Sequence, residues 1–269
     1  MREGGQCPIL LLCGLLVASS AIAQEHAGTI PEHGLQAGLE GNWQWPGKVV
    51  SEDGSDEFVR LSSWAGGYRI SLFYSRTISE RSAVCAGLQV GRASYTFEWG
   101  GDQIPLGPFG GAEGSYTGFV EHWEVRGVAA GFETALLSGQ RLRLLVAMGA
   151  RFEMGSGGTT FVWREDVGTG PAVEMFRYDA RFNQDNRVMS TLWLGPQMEW
   201  VMSNSNRIRA GIGCNLVLDH NVLQGTYFTR TRHDGYLSGQ FSSSMSSLYA
   251  SVGHVWTWGY PKVPRKMRL

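Results

Sequence analysis

Lysine is nearly missing from this sequence. Among its 269 residues only Lys48, Lys262 and Lys266 are lysines, so arginine carries almost all of the positive charge. The formal net charge is −1, which leaves no electrostatic footprint for a nucleic-acid partner. Beyond residue 23 no run of ~18 apolar residues occurs, which excludes a transmembrane helix. Cysteine is scarce too, with four in the chain. Cys7 and Cys13 fall in the first 23 residues, leaving Cys85 and Cys214. Those two sit on opposite faces of their strands, where ordinary disulfide geometry cannot join them. The local His–carboxylate clusters, Asp219-His220 and His233-Asp234, lack the spacing of a zinc or calcium site and read as solvated loop residues. The glycine-rich stretch Gly100-Gly101, Gly110-Gly111 and Gly114 has no helix after it, so it is no phosphate loop. No cofactor or metal site is expected.

Glycine (37) and aromatic residues (12%) are what the chain has in quantity, a mixture that suits strands and turns. Residues 1–23 read as a secretory signal peptide. Arg2 opens it, Ile9 to Val17 form its short apolar core, and Ala21-Ile22-Ala23 supplies the small-x-small cleavage site. The expected organisation is this leader, an N-terminal extension (24–33), one domain over 34–260, and a basic tail (261–269) holding Lys262, Arg265, Lys266 and Arg268.

Within 34–260, apolar and polar residues alternate strand by strand. Leu35, Ala37, Leu39, Trp43 and Trp45 oppose Gln36, Gly38, Glu40, Asn42 and Gln44. Leu142, Leu144, Val146, Met148, Ala150 and Phe152 oppose Arg143, Ala147, Gly149, Arg151 and Glu153. Tight turns are expected at Ser79–Ser82, Ser138-Gly139-Gln140 and Asn204-Ser205-Asn206. Long gaps fall near 46–66, 100–116, 155–187 and 219–245. The fourth strand runs Val128, Ala130, Phe132, Leu136 on its apolar face, and its upstream part changes phase near Arg126, which predicts a bulge there. Tight turn, strand, long loop, strand is the rhythm of an all-β, antiparallel up-and-down transmembrane β-barrel of about eight strands.

The apolar faces are expected outside and the polar faces inside. Glycines crowd the polar faces (Gly38, Gly87, Gly131, Gly149, Gly195, Gly213 and others), as the interior of a narrow barrel demands. Those faces also carry both charge signs at similar depths. Glu40, Arg69, Glu133, Arg143, Arg151, Glu199 and Arg209 are the expected interior charge lattice. Aromatic belts are expected at both interfaces, from Trp43, Trp45, Tyr68, Phe97 and Trp99 on the long-loop side and Trp200, Trp256, Trp258 and Tyr260 on the other.

On this layout the chain resembles the small outer-membrane β-barrel family, the OmpA/OmpX-type barrels and their porin-like relatives. The resemblance implies the cell outer membrane, short turns in the periplasm, four loops outside, and contact with outer-membrane lipid and the barrel assembly machinery. It departs from the family where Pro261–Leu269 follows the last aromatic residue. The expected role is non-catalytic and monomeric, in membrane integrity or surface interaction, with the identity of any extracellular ligand left open. The alternatives are a narrow pore for small solutes and a lipid A-modifying enzyme. Ser238, Ser242–Ser244, His233 and Asp234 share one loop, but a His-x-Ser pattern is absent, so no enzyme is expected.

Overall fold

The structure, a computed structural model, describes residues 32–51, 59–62, 66–100, 116–139, 141–165, 172–185, 187–202, 206–219, 221–230 and 235–259. The leader, most of the N-terminal extension, the basic tail, Tyr260, Gln140, Asn204, Ser205, His220, His233, Asp234, the acidic Glu52, Asp53, Asp56 and Glu57 of the first gap and the second gap's glycines after Gly100 lie outside them.

In chain order the strands are β1 (His33–Gln44), β2 (Lys48–Ser51), β3 (Val59–Ser62), β4 (Gly67–Thr77), β5 (Ser82–Gly100), β6 (Tyr116–Ser138) and β7 (Leu142–Met154). They continue with β8 (Gly157–Glu165), β9 (Val173–Phe182), β10 (Met189–Val201), β11 (Asn206–Val217), β12 (Leu223–Arg230), β13 (Tyr236–Ser243) and β14 (Ser247–Trp258). Eight of them close an antiparallel barrel in the order β1-β4-β5-β6-β7-β10-β11-β14, with β14 pairing back onto β1. The lower end carries the tight connections, among them the Ile78–Ser82 and Met202–Asn206 hydrogen bonds, together with His33 and Trp258.

The outward face of the barrel is apolar. Leu72, Leu88, Val128 and Phe152 lie side by side across β4, β5, β6 and β7 and are all exposed. Trp43, Trp45 and Tyr68 are exposed toward the upper end, and Trp200, Trp256 and Trp258 toward the lower end. A closed barrel satisfies every strand edge internally and needs no water along its length, which is the requirement for spanning lipid. The structure is a transmembrane β-barrel.

The upper end holds an unexpected second layer. The remaining six strands, all within the long gaps, continue the barrel wall upward. Five of them form the sheet β2-β13-β12-β9-β8, while β3 joins the tall β5–β6 hairpin. Between these walls sits an apolar core, including Tyr95, Phe97, Trp99, Trp123, Phe176, Tyr178, Phe182, Leu223, Tyr227 and Phe241. Its rings pack face to face: Tyr95 on Trp123 at 5.1 Å, Trp123 on Phe182 at 5.0 Å, Trp99 on Phe176 at 4.5 Å.

Two sequence expectations are corrected by this layer. Phe97 and Trp99 are not belt residues; they are 0% and 1% exposed in the upper core. Nor is there a bulge at Arg126, since β5 and β6 stay in unbroken register from Ser82↔Thr134 to Gly100↔Tyr116. The strand keeps its parity and its surroundings change. Below Gly91 the inward side chains of β5 are polar or small (Cys85, Gly87, Gln89); above it they are Ala93, Tyr95, Phe97 and Trp99. The register shift lies instead between Ala135 and Leu137, so Leu137 pairs with Leu144 and is exposed while Leu136 is half-buried.

Candidate functional site

The inward face of the membrane-spanning barrel carries two tiers of buried charge. The upper tier joins Glu40 (β1), Arg69 (β4), Glu153 and Arg151 (β7). Arg151 donates through Nη1 to Glu40 Oε1 at 2.8 Å and through Nη2 to Oε2, and Nη1 also donates to Asn215 Oδ1 at 2.9 Å. Arg69 reaches Glu153 through Nε at 2.6 Å and Nη2 at 2.9 Å, with a longer contact of 3.4 Å to Glu40. Gln89 donates to Glu153 at 3.0 Å, and Asn215 to Glu40 at 3.1 Å.

The lower tier centres on Glu199 (β10). Register places Glu199 directly opposite Arg143 on one neighbour and Arg209 on the other. Arg209 Nη2 donates to Glu199 Oε2 at 2.8 Å, and its Nη1 reaches Glu133 Oε1 at 2.6 Å and Gln36 Oε1 at 2.8 Å. Arg207 donates to Glu199 Oε1, and Arg143 lies 3.5 Å from the same oxygen.

The seven charges read from the sequence therefore fall into two tiers: Glu40, Arg69 and Arg151 in the upper, Glu133, Arg143, Glu199 and Arg209 in the lower. The lattice also includes Glu153 and Arg207, with Asn215 as a neutral bridge between Arg151 and Glu40 and Gln89 as a further donor to Glu153. Parity alone puts all of these on the polar face; their partners across the lumen are what mark them as members. Desolvating so many ions is costly, and good geometry plus extra hydrogen bonds on each carboxylate is what offsets it.

Between the tiers lie Trp193 and Tyr249, both buried. Arg151 lies over them, its guanidinium carbon 5.7 Å and 5.8 Å from the two ring centroids. Room for the indole comes from Gly131 and Gly149, where an added Cβ would meet Trp193 Cζ2 at 2.5 Å and 2.8 Å. A cavity of about 40 Å³ lies between the tiers, bordered by Glu133, Arg151, Trp193, Gln197 and Tyr249. It has space for a water or two. Cys85 borders it as well, buried and free, while Cys214 is free on the opposite, outward face of β11.

Arrangements for catalysis are sparse. Ser243 and Ser244 accept hydrogen bonds from the backbone N–H groups of Met245 and Ser246 at 3.0 Å and 3.4 Å, shaping the turn into β14. Ser94 and His122 face each other across β5 and β6 with Oγ and Nδ1 2.7 Å apart. Ser94 is only 1% exposed, which closes its hydroxyl to a substrate. Among the described residues, no three His, Cys, Asp or Glu side chains gather into a metal-binding group.

No family model matches the chain, and no curated protein matches it. Solved structures of similar shape include the outer membrane protein OprG from Pseudomonas aeruginosa, 4% identical, covering 87% of this chain and 100% of that one, with a TM-score of 0.44. A major outer membrane protein from Thermus thermophilus is 10% identical, covering 84% and 99%, at 0.40. The outer membrane protease OmpT from Escherichia coli is 8% identical, covering 87% and 100%, at 0.37. Likenesses of this size assign no role.

Proposed function

We propose that the chain is a non-catalytic, integral outer-membrane β-barrel whose lumen is closed and whose work is done by its outer surface, in membrane integrity or surface interaction. The observation that carries this reading is the Arg151–Glu40 bridge from one wall of the lumen to the opposite wall, with Trp193 and Tyr249 against it. The aromatic core stacked above it supports the same reading, because an ion entering from that end would meet a dry, packed interior. In this reading the barrel is monomeric, is inserted by the barrel assembly machinery, and has outer-membrane lipid as its constant partner. The upper layer, built from the long gaps, is the part outside the cell.

Single-channel recording of the refolded chain in a planar bilayer tests this. A folded, inserted and silent barrel is expected. Reproducible unitary steps would overturn the closed-lumen reading and make it a pore, with the lower-tier arginines lining the path. A mass shift in extracted lipid A on expression would instead make it a lipid-modifying enzyme.

A further inference from the structure

The outward face changes character along a single line across β4 to β7, and two arginines stand on that line. Arg126 lies in the row Ile70–Val90–Arg126–Met154, immediately above the wholly apolar row Leu72–Leu88–Val128–Phe152. Arg92 lies in the next row, between Tyr68 and Glu124. Because Arg126 is directly opposite Val90, Arg92 is its diagonal neighbour, within reach of one shared ligand.

Together these residues border an open groove of about 680 Å³, with Ile70, Val90 and Met154 forming its apolar side and Arg92, Arg126 and Glu124 its polar side. Both arginines are exposed. Among the described residues neither makes an ion pair, whereas Arg177 and Arg187 on the surface of the upper layer pair with Glu174 and Asp185 at 2.9 Å and 2.8 Å. Two unpaired guanidinium groups thus stand at the upper edge of the lipid-facing belt, over a strip that runs without interruption into it.

That combination fits one kind of molecule. Its apolar part must lie along the strip below, and its anionic part must sit at the height of Arg92 and Arg126. Guanidinium forks match phosphate oxygens in pairs. We infer that this groove is a binding site for a phosphorylated lipid of the outer leaflet, its phosphate held between Arg92 and Arg126 and an acyl chain laid over Ile70, Val90 and Leu88. Glu124, directly opposite Arg92, keeps the groove from being uniformly cationic and favours a ligand whose charge is confined to the phosphate. The inference rests on the outer-membrane reading only for the leaflet in which the lipid is met.

The test uses the full mature chain folded in detergent, with native mass spectrometry following retention of a synthetic lipid A bearing phosphate. Its dephosphorylated form and inorganic phosphate serve as comparison probes. Wild-type protein is expected to retain the phosphorylated lipid, and the Arg92→Gln, Arg126→Gln double variant to retain it roughly tenfold less or weaker still. Arg177→Gln, removing a surface charge elsewhere, should behave as wild type. Equal retention by wild type and double variant overturns the site, as does equal retention of the dephosphorylated lipid. Displacement by millimolar inorganic phosphate would also overturn it, by showing an anion site with no part for the acyl chain. Heat-modifiable gel mobility shows whether each variant is a folded barrel, and cell fractionation tests the location separately. A failure of the outer-membrane reading is thereby distinguished from a failure of the site.

Discussion

Arg151 and Glu40 come from β7 and β1, strands that stand diametrically opposite in the ring, and they meet in its middle. The bond they make is a tie rod. It fixes the barrel's cross-section, positions Arg151 over Trp193 and Tyr249, and leaves Glu40 with Arg69 and Asn215 as further partners. In the closed-lumen reading proposed above, closure of the lumen and integrity of the barrel therefore depend on the same side chains.

Truncating one end of that tie should be far worse than replacing both. Arg151→Leu leaves the buried Glu40 carboxylate with only Asn215 and the longer Arg69 contact, and is expected to destabilise the barrel by about 3 kcal/mol. The Arg151→Leu, Glu40→Leu double variant should lose less than the two single changes added together. Urea unfolding in lipid vesicles measures all three, and strict additivity would mean the pair is not coupled.

The boundary on the outward face should be readable by charge. Leu88, 64% exposed in the apolar belt, is expected to cost about 2–4 kcal/mol as Leu88→Arg. Gln224→Arg, on the outward face of β12 in the upper layer, should stay within about 0.5 kcal/mol of wild type. Folded yield from vesicles decides between them; equal yields would mean that the belt is misplaced.

Alkaline pH should loosen the upper core through Tyr178. Burial against Phe97 and Phe241 pushes its phenol up from the ordinary range. The folded state therefore holds this proton more tightly than the unfolded chain does. Stability from this group is complete below the usual phenol pKa of ~10 and falls as pH rises above it. Tyr178→Phe should flatten that fall, as followed by proteolysis of the upper layer against pH. An unchanged profile would mean that Tyr178 is not the group responsible.

What the sequence determined alone is parity. Successive strand side chains point to opposite faces, a local property, so Glu40, Arg143 and Arg209 are legible as members of the polar face and Leu72, Leu88 and Val128 of the apolar one without any knowledge of neighbours. The pairing of Glu199 with Arg209 is nearly as legible, because the tight turn between β10 and β11 brings them into register, whereas Arg143 meets Glu199 across β7 and β10, which are separated in the chain by β8 and β9. Tertiary structure decided the rest. Which charge meets which across the lumen depends on ring closure, so Arg69–Glu153 and Arg209–Glu133 were invisible along the chain. It also decided what surrounds each face. Phe97 and Trp99 keep the parity of Cys85 and Gln89 on one unbroken strand, yet they are core because above Arg92 the outside is no longer lipid and the inside is no longer polar. A pattern of alternation records two faces; only the fold says which solvent each face meets.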